Sequence, residues 1–198
     1  MKRLRRSLLY IPGNNPSMIN NSAIFGADVV VFDIEDSVAP REKDAARILV
    51  ASALQQRELI KADDCELMVR INGLDTPFFE DDLKEIVRAR PHSLRLPKSE
   101  SKASILDFIE LLEKAEEEAK LDYQIQISPI LETVVGVSRA EEIASAPPRV
   151  TALSFGAEDF TRDLGTKRSK EGSELRHARG AMVLAAKASG IAALDTVY

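Results

Sequence analysis

Charged side chains recur at the ends of short apolar segments in this sequence. In chain order they are Asp33, Glu35, Asp36, Arg70, Lys98, Glu132, Glu158 and Asp159, with the amide of Asn72 among them. Carboxylates at this density repel one another unless a cation lies among them, and oxygen ligands favour Mg²⁺ or Mn²⁺ over zinc. If the fold gathers these residues, they predict a divalent-cation site. The alternative is a network of ion pairs with Arg70 and Lys98.

The apolar segments before these residues have the length of β-strands. Seven of them begin near residues 7, 29, 66, 93, 125, 150 and 192, and each is separated from the next by room for a helix. Such alternation predicts right-handed βαβ units, a parallel sheet and an α/β fold. The average spacing of about 31 residues fits a TIM-type (β/α)₈ barrel, which has about 250 residues.

A barrel of this type would position the charged residues. Its reactive groups gather at the carboxyl ends of the strands, where the second to sixth predicted strands carry these side chains. The 198 residues accommodate about seven strands. We expect a single barrel domain, residues 1–198, that lacks the last strand and the C-terminal segment.

The stretches between the strands predict helices. One runs from about Arg41 to Gln56, and another from about Val137 to Ala146. The apolar face of the first would contain Ala45, Ile48, Leu49 and Ala53. Residues 161–173 are polar and predict a connection before the last helix.

Composition and charge narrow the functional classes. The chain is 44% hydrophobic and 30% charged, which suffices for a packed core. A net charge of −5, with no basic block beyond residues 1–6, argues against a nucleic-acid partner. No apolar run approaches the roughly 20 residues of a membrane helix, and the run after residues 1–6 is too short for a signal peptide. We therefore expect a cytoplasmic protein. The single cysteine excludes an internal disulfide and a cysteine-based zinc site.

Six motifs at the ends of successive predicted strands resemble those of a known family. They are RSLLYIPGNNP (6–16), FDIEDSV (32–38), VRIN (69–72), LPK (96–98), ILET (130–133) and FGAEDF (155–160). Each motif is weak alone, but together and in this order they resemble the citrate lyase β-subunit (citryl-CoA lyase) family. That family is part of the HpcH/HpaI aldolase group, which includes citramalyl-CoA and malyl-CoA lyases.

The resemblance implies an enzyme, an acyl-CoA carbon–carbon lyase with Mg²⁺ as its cofactor. Such a lyase cleaves a 3-hydroxyacyl-CoA into acetyl-CoA and a 2-oxo acid. The oxo acid is oxaloacetate from citryl-CoA, pyruvate from citramalyl-CoA or glyoxylate from malyl-CoA. The resemblance also implies a homo-oligomer, since the family is commonly trimeric, and an acyl carrier protein as a possible partner.

Matching the motifs residue by residue implies roles for the acidic residues and for Arg70. Glu132 and Asp159 would bind the metal directly, and Glu132 would also face the substrate. Glu35 and Asp36 would hold metal-bound waters. Arg70 would face the thioester carbonyl and stabilise the enolate formed by cleavage, because a guanidinium stays charged and carries several donors.

Other residues would contact the remainder of the substrate. The backbone amides of Gly156 and Ala157 would hold the oxo-acid carboxylate. Arg6 and Lys98 are candidates for contacts with the CoA phosphates, although Arg6 could equally belong to a solvated basic tail.

Two alternative functions stay open at this point. The first is a non-catalytic or partner-dependent CoA-binding homologue, which is suggested by the C-terminal segment that related lyases have and this sequence lacks. The second is a metal-independent aldolase that forms a Schiff base at Lys98. The surrounding carboxylates argue against the second, because they favour the charged ammonium group.

Overall fold

The structure, a computed structural model, describes residues 4–58 and 65–196. Its strands are β1 (Leu8–Pro12), β2 (Val29–Asp33), β3 (Glu66–Arg70), β4 (Ser93–Leu96), β5 (Gln126–Leu131), β6 (Ala152–Phe155) and β7 (Ala192–Leu194). Its α-helices are α1 (Pro16–Asn20), α2 (Lys43–Gln55), α3 (Phe79–Arg88), α4 (Lys102–Glu118), α5 (Val134–Ser138), α6 (Ala140–Ala144), α7 (Ala157–Asp163) and α8 (Arg176–Ala188). The seven predicted strands are confirmed. Residues 1–3 of the basic segment and the last two residues of the predicted seventh strand lie outside the described residues.

The first of two compact units comprises residues 1–95 and 111–125. Its strands β1 to β4 pair in parallel and in chain order. Pro12 lies opposite Asp33, Asp33 opposite Arg70, and Arg70 opposite Arg95. Since the strands run in one direction, these residues form a row at the carboxyl edge of the sheet. β2 is buried along its whole length, as expected for a parallel strand covered on both faces.

The second unit comprises residues 96–110 and 126–198. Its strands β5, β6 and β7 also pair in parallel, with Leu131 opposite Phe155 near the carboxyl ends of β5 and β6. The hydroxyls of Ser128 and Ser154 are fully buried and lie 3.0 Å apart. Each hydroxyl therefore supplies the hydrogen-bond partner that the other needs in the protein interior.

Helix α2 buries a different face from the one predicted. Ile48 is 64% exposed. The buried positions are Lys43, Ala46, Arg47, Val50, Ala51 and Leu54, and they recur at the 3–4 spacing of a helix face. The prediction was wrong because two positions of this stripe are charged, and a count of apolar residues passes over them.

Two further helical segments differ from the prediction. The predicted helix from Val137 to Ala146 is divided into α5 and α6, with Arg139 between them. Helix α7 was not predicted, because its sequence is polar and it begins directly after β6. Glu158 and Asp159 consequently lie in the first turn of a helix. No helix of the described residues is long and apolar enough to cross a membrane.

Candidate active site

Arg70 and Asp33 form a bidentate ion pair at the carboxyl edge of the sheet in the first unit. The Nε and Nη2 atoms of Arg70 donate to Oδ1 and Oδ2 of Asp33 at 2.8 and 2.6 Å. The same carboxylate accepts the backbone N–H groups of Glu35 and Ser37 at 2.9 and 3.2 Å. Asp33 is only 2% exposed, so these four hydrogen bonds offset the cost of burying its charge. They also fold the segment after β2 around the carboxylate.

Two further carboxylates and an aromatic ring approach Arg70. Its Nη1 atom lies 3.1 Å from Oε2 of Glu35 and 3.6 Å from Oδ2 of Asp36. The Tyr10 ring centroid is 5.7 Å from Cζ of Arg70 and 5.3 Å from Cζ of Arg95. A guanidinium carries five N–H groups. Asp33 accepts two of them and Glu35 lies beside a third, so the guanidinium is held in place at the sheet edge.

The carboxylates around Arg70 differ in acidity. Burial raises the pKa of Glu35 to about 7, since it and the charge of Asp36 outweigh the attraction of Arg70. Burial also acts to raise the pKa of Asp33, but the hydrogen bonds and charge of Arg70 outweigh it and hold that pKa below its usual value. Asp33 is therefore a permanent anion at neutral pH, whereas Glu35 exchanges a proton there. A carboxyl group that titrates near neutral pH is suited to general acid–base chemistry.

Asn72 belongs to a buried network behind this edge. Its backbone N–H and its Nδ2 atom donate to Oδ2 of Asp82 at 3.0 and 2.5 Å. Asp82 is fully buried, and its Oδ1 atom accepts Nε of Arg47 at 2.8 Å. Asn72 thus connects the end of β3 to helices α2 and α3 and serves the fold behind the edge.

Glu132 is a buried, hydrogen-bonded carboxylate of the second unit. It follows β5, is 4% exposed, and accepts the backbone N–H of Lys98 at its Oε1 atom at 2.7 Å. Lys98 has a φ of +47°, a left-handed conformation that is uncommon for a residue other than glycine. Its backbone is therefore bent so that its N–H points at Glu132.

Gly156 packs closely against the same carboxylate. A Cβ atom at this position would lie 2.6 Å from Cβ and 2.7 Å from Oε2 of Glu132. These distances are shorter than any ordinary contact, so a glycine is required here. The close approach places the main chain of Gly156 against a carboxylate, and carboxylate oxygen is the ligand type that Mg²⁺ prefers.

The backbone amides predicted to hold a carboxylate already donate within the chain. The N–H of Gly156 donates to the carbonyl of Leu131 at 3.1 Å, and that of Ala157 to the hydroxyl of Thr196 at 3.2 Å. The Gly156 amide is thus engaged by its neighbouring strand, and the role predicted for it would require this hydrogen bond to be exchanged. Ala157 can hold a carboxylate only by exchanging the Thr196 hydroxyl for it.

Asp159, the other predicted metal ligand, accepts Nη1 of Arg162 at 2.6 Å and has a side chain that is 28% exposed. Glu158 is exposed and pairs with Arg168. Within residues 4–58 and 65–196, no group of three or more His, Cys, Asp or Glu side chains is arranged to hold a metal ion. Mg²⁺ commonly takes one or two carboxylates and completes its shell with water and substrate. Glu132 and Asp159 therefore stay predicted as such a pair.

Lys98 and Arg6, which are predicted to contact the CoA phosphates, differ in exposure and in their position relative to the sheets. The Lys98 side chain is exposed beyond the end of β4. Arg6 precedes β1 and binds Asp28, just before β2, through its backbone N–H and its guanidinium at 2.7 to 2.9 Å. Arg6 thus lies at the amino edge of the sheet, opposite to Arg70. The structure does not support its predicted contact with substrate, because its guanidinium is paired there.

Some residues of the site were missed by the sequence reasoning. Tyr10 lies within the first motif, and its ring is near the guanidinium groups of both Arg70 and Arg95. Its position in an apolar strand carries no sign of these contacts. Lys43 and Arg47 were missed because the buried face of α2 was predicted from its apolar residues alone. The signal that could have found them is their 3–4 spacing within the stripe of Ala46, Val50 and Leu54.

Residues 6–198 match the family model described as HpcH/HpaI aldolase/citrate lyase. The citrate lyase subunit beta of Leuconostoc mesenteroides subsp. cremoris is 44% identical over 198 residues, which are 100% of this chain and 65% of that protein. The mitochondrial citramalyl-CoA lyase of Homo sapiens is 34% identical over 98% of this chain and 59% of that protein. The chain thus spans just under two thirds of the length of these curated relatives.

The fold is similar to that of a solved protein, CitE from Mycobacterium tuberculosis in complex with magnesium, acetoacetate and coenzyme A. The TM-score is 0.78 and the sequence identity 32%, over 98% of this chain and 67% of that one. The predicted fold class, parallel strands alternating with helices as in a TIM-type barrel, is thereby confirmed.

Proposed function

The chain belongs to the HpcH/HpaI aldolase/citrate lyase family, and on that premise we propose that it is a Mg²⁺-dependent carbon–carbon lyase. The proposed reaction cleaves a 3-hydroxyacyl-CoA into acetyl-CoA and a 2-oxo acid. Citryl-CoA is the first candidate substrate, because the Leuconostoc relative is a citrate lyase subunit. Citramalyl-CoA and malyl-CoA differ from it by one substituent, and the human relative is a citramalyl-CoA lyase.

The observation that carries the proposal is the bidentate ion pair with Asp33, which fixes the guanidinium of Arg70. Cleavage of the carbon–carbon bond leaves a thioester enolate, whose oxygen needs a fixed positive partner. Asp33 holds Arg70 through two hydrogen bonds and leaves part of its guanidinium to face a substrate oxygen. Because Arg70 is positioned before the charge develops, it can stabilise the enolate without reorganising.

Glu35 supplies a group for the proton transfers. The 3-hydroxyl loses its proton as the bond to the adjacent carbon breaks, and the enolate carbon gains a proton to give acetyl-CoA. Glu35 has a pKa of about 7 and lies beside Arg70. Its carboxylate can accept the hydroxyl proton, and its acid form can return a proton to carbon, so that the reaction neither consumes nor releases protons.

The residues present also fit the proposed cofactor. Glu132 and Asp159 would hold Mg²⁺, and the glycine at position 156 allows the Glu132 carboxylate to keep its observed position. When bound, this ion lowers the pKa of the substrate hydroxyl and polarises the ketone that forms. The solved CitE structure was obtained with magnesium, acetoacetate and coenzyme A together, which supports a site for the metal and for CoA in this chain.

The proposal extends to assembly and location. We propose a cytoplasmic homotrimer in which exposed apolar side chains of the described surface are covered, such as Ile24, Phe25, Ile48 and Leu184, each at least 64% exposed. The acyl group is carried by CoA, and an acyl carrier protein is the alternative carrier. Light scattering during size-exclusion chromatography tests the assembly, since a monodisperse monomer at micromolar concentration would contradict it.

Release of an oxo acid from defined thioesters tests the lyase activity. Purified protein is incubated with citryl-CoA, citramalyl-CoA or malyl-CoA, with Mg²⁺ or with EDTA. The expected result is cleavage of at least one thioester that EDTA abolishes and added Mg²⁺ restores. Binding of CoA without cleavage would instead identify a non-catalytic homologue. Cleavage in EDTA that borohydride blocks by trapping an imine at Lys98, and that Lys98→Ala abolishes, would identify the Schiff-base route.

A further inference from the structure

Lys43, the first residue of α2, is a buried lysine directed at the main chain after β2. It is 6% exposed, and its Nζ atom donates to the carbonyl of Ile34 at 3.0 Å and to that of Glu35 at 2.6 Å. The Phe78 ring covers the ammonium group, with its centroid 5.6 Å from Nζ. Lysine is rarely buried to this extent, so its burial needs a reason.

The surrounding charges supply part of that reason. Burial lowers the pKa of Lys43, while the carboxylates of Glu35, Asp33, Asp82 and Asp36 favour its charged form. The ammonium group thus lies beneath a segment whose acidic side chains repel one another. Arg70 counters that repulsion from the side of the sheet edge, and Lys43 counters it from the side of the helix.

The main chain that Lys43 holds is also tied to Arg70. The carbonyl of Ile34 accepts a second hydrogen bond, from Nδ2 of Asn72 at 3.1 Å. The N–H of Ile34 donates to the carbonyl of Arg70 at 3.1 Å. The carbonyl of Glu35, held by Lys43, also accepts the N–H of Val38 at 3.1 Å and closes a turn there. The backbone on both sides of the Glu35 side chain is therefore fixed.

We propose that Lys43 is a positioning residue for Glu35. Through two main-chain carbonyls it sets the backbone from which the Glu35 carboxylate reaches Arg70, and it contacts no reacting atom itself. This role rests on the proposed function, in which Glu35 moves a proton. It is separate from Arg47, which acts one helical turn later on Asp82 and α3.

Hydrogen exchange tests the positioning independently of any activity. Lys43→Met keeps an unbranched side chain but removes the charge and the donors. We expect the amides of residues 34–38 to exchange about tenfold faster than in the wild type, because their local opening becomes easier. The amides of β5 and β6 should be unchanged. Lys84→Met, at an exposed lysine of α3, is the matched control and should leave residues 34–38 as they are.

The second readout is kinetic. With a thioester that the wild type cleaves, Lys43→Met should lower kcat about tenfold or more and leave KM within about threefold, since misplacing a catalytic group slows chemistry more than binding. Lys43→Arg, which keeps charge and donors, should recover part of kcat and of the exchange protection. It also serves as the second variant if Lys43→Met does not fold.

The outcomes separate the two proposals. If the wild type cleaves no thioester, the proposed function fails, and the exchange measurement still decides whether Lys43 fixes the segment. Unchanged exchange in residues 34–38, or a Lys43→Met enzyme with wild-type kcat, would overturn the positioning role. Equal acceleration of exchange throughout the protein would also overturn it, because it would show a general loss of stability.

Discussion

Gly156 lies so close to Glu132 that no side chain fits between them. A Cβ at Gly156 would stand 2.6 Å from Cβ of Glu132, whose Oε1 atom is already fixed by the backbone N–H of Lys98 at 2.7 Å. Because the Glu132 side chain is held on one side, a methyl group on the other would force its carboxylate to rotate away. The geometry of this contact leads to the first prediction.

Gly156→Ala should weaken divalent-cation binding by about tenfold or more, since the affinity of such a site depends on ligand orientation. Isothermal titration with Mg²⁺, or with Mn²⁺ followed by electron paramagnetic resonance, measures the change. Gly180→Ala is the control, because a Cβ at Gly180 in helix α8 meets no atom within 4 Å. That substitution should leave metal binding intact and raise stability by about 0.5–1 kcal/mol. Equal metal affinity in the Gly156 variant would contradict the prediction.

Arg70→Ala should lower kcat by about 10²–10³, the effect of losing a preorganised donor. It also leaves Asp33 buried without its cation, which costs about 3–5 kcal/mol of stability. Kinetics should therefore be measured below the unfolding transition, which circular dichroism determines. Arg41→Ala, at a side chain that is 87% exposed, should be indistinguishable from the wild type. A kcat above one tenth of the wild-type value would exclude Arg70 from the mechanism.

Asp33→Asn should destabilise the protein at neutral pH and have little effect in acid. Burial raises the pKa of Asp33, but the hydrogen bonds and charge of Arg70 outweigh burial and place the folded-state pKa below that of the unfolded chain. The stability that ionised Asp33 contributes is complete above the unfolded-state pKa of about 4 and is lost as pH falls through the folded-state value. Urea unfolding of both proteins from pH 7 to 3 measures the difference. A difference that stays constant over this range would be incompatible with the pairing.

The effect of Glu35→Gln on stability should depend on pH in the opposite way to that of Asp33→Asn. Burial raises the folded-state pKa of Glu35 to about 7, above its value in the unfolded chain, so the folded state holds this proton more tightly. Stability therefore falls as pH rises from about 4.5 to 7, by about 3 kcal/mol at most, and glutamine avoids that loss. In metal-free buffer, the free energy of unfolding of the variant relative to that of the wild type should increase as pH rises across this window. The test fails if the variant loses stability relative to the wild type as pH rises.

The elements that carry the site follow from local patterns in the sequence. Apolar segments separated by helix-length stretches predict the strands, and Asp33, Arg70 and Glu132 lie at or just after strand ends, as the parallel arrangement requires. The pairing of Asp33 with Arg70 depends on the register between β2 and β3, which no local pattern contains. The sequence therefore suggests that the acidic residues of the edge could pair with Arg70 or Lys98, but it does not single out Asp33 as the partner of Arg70.

Other features escaped prediction because tertiary contacts outweigh local preference. The charges of Lys43 and Arg47 favour exposure to water, yet carbonyl partners just after β2 and a carboxylate partner on α3 allow them to be buried. Helix α7 is short and polar, so its periodicity carries little signal. The engaged amide of Gly156 is a further case, because the sequence shows that a glycine is present but not where its N–H points.

The left-handed backbone of Lys98 has a consequence for mutational robustness. The hydrogen bond that fixes Glu132 comes from the path of the main chain, and every amino acid except proline carries that donor. Substitution of the exposed Lys98 side chain therefore leaves the contact in place. Lys98 already bears the cost of about 1–2 kcal/mol of a left-handed conformation, so most replacements add little to it. Position 98 can accordingly vary in charge and size while Glu132 stays where it is.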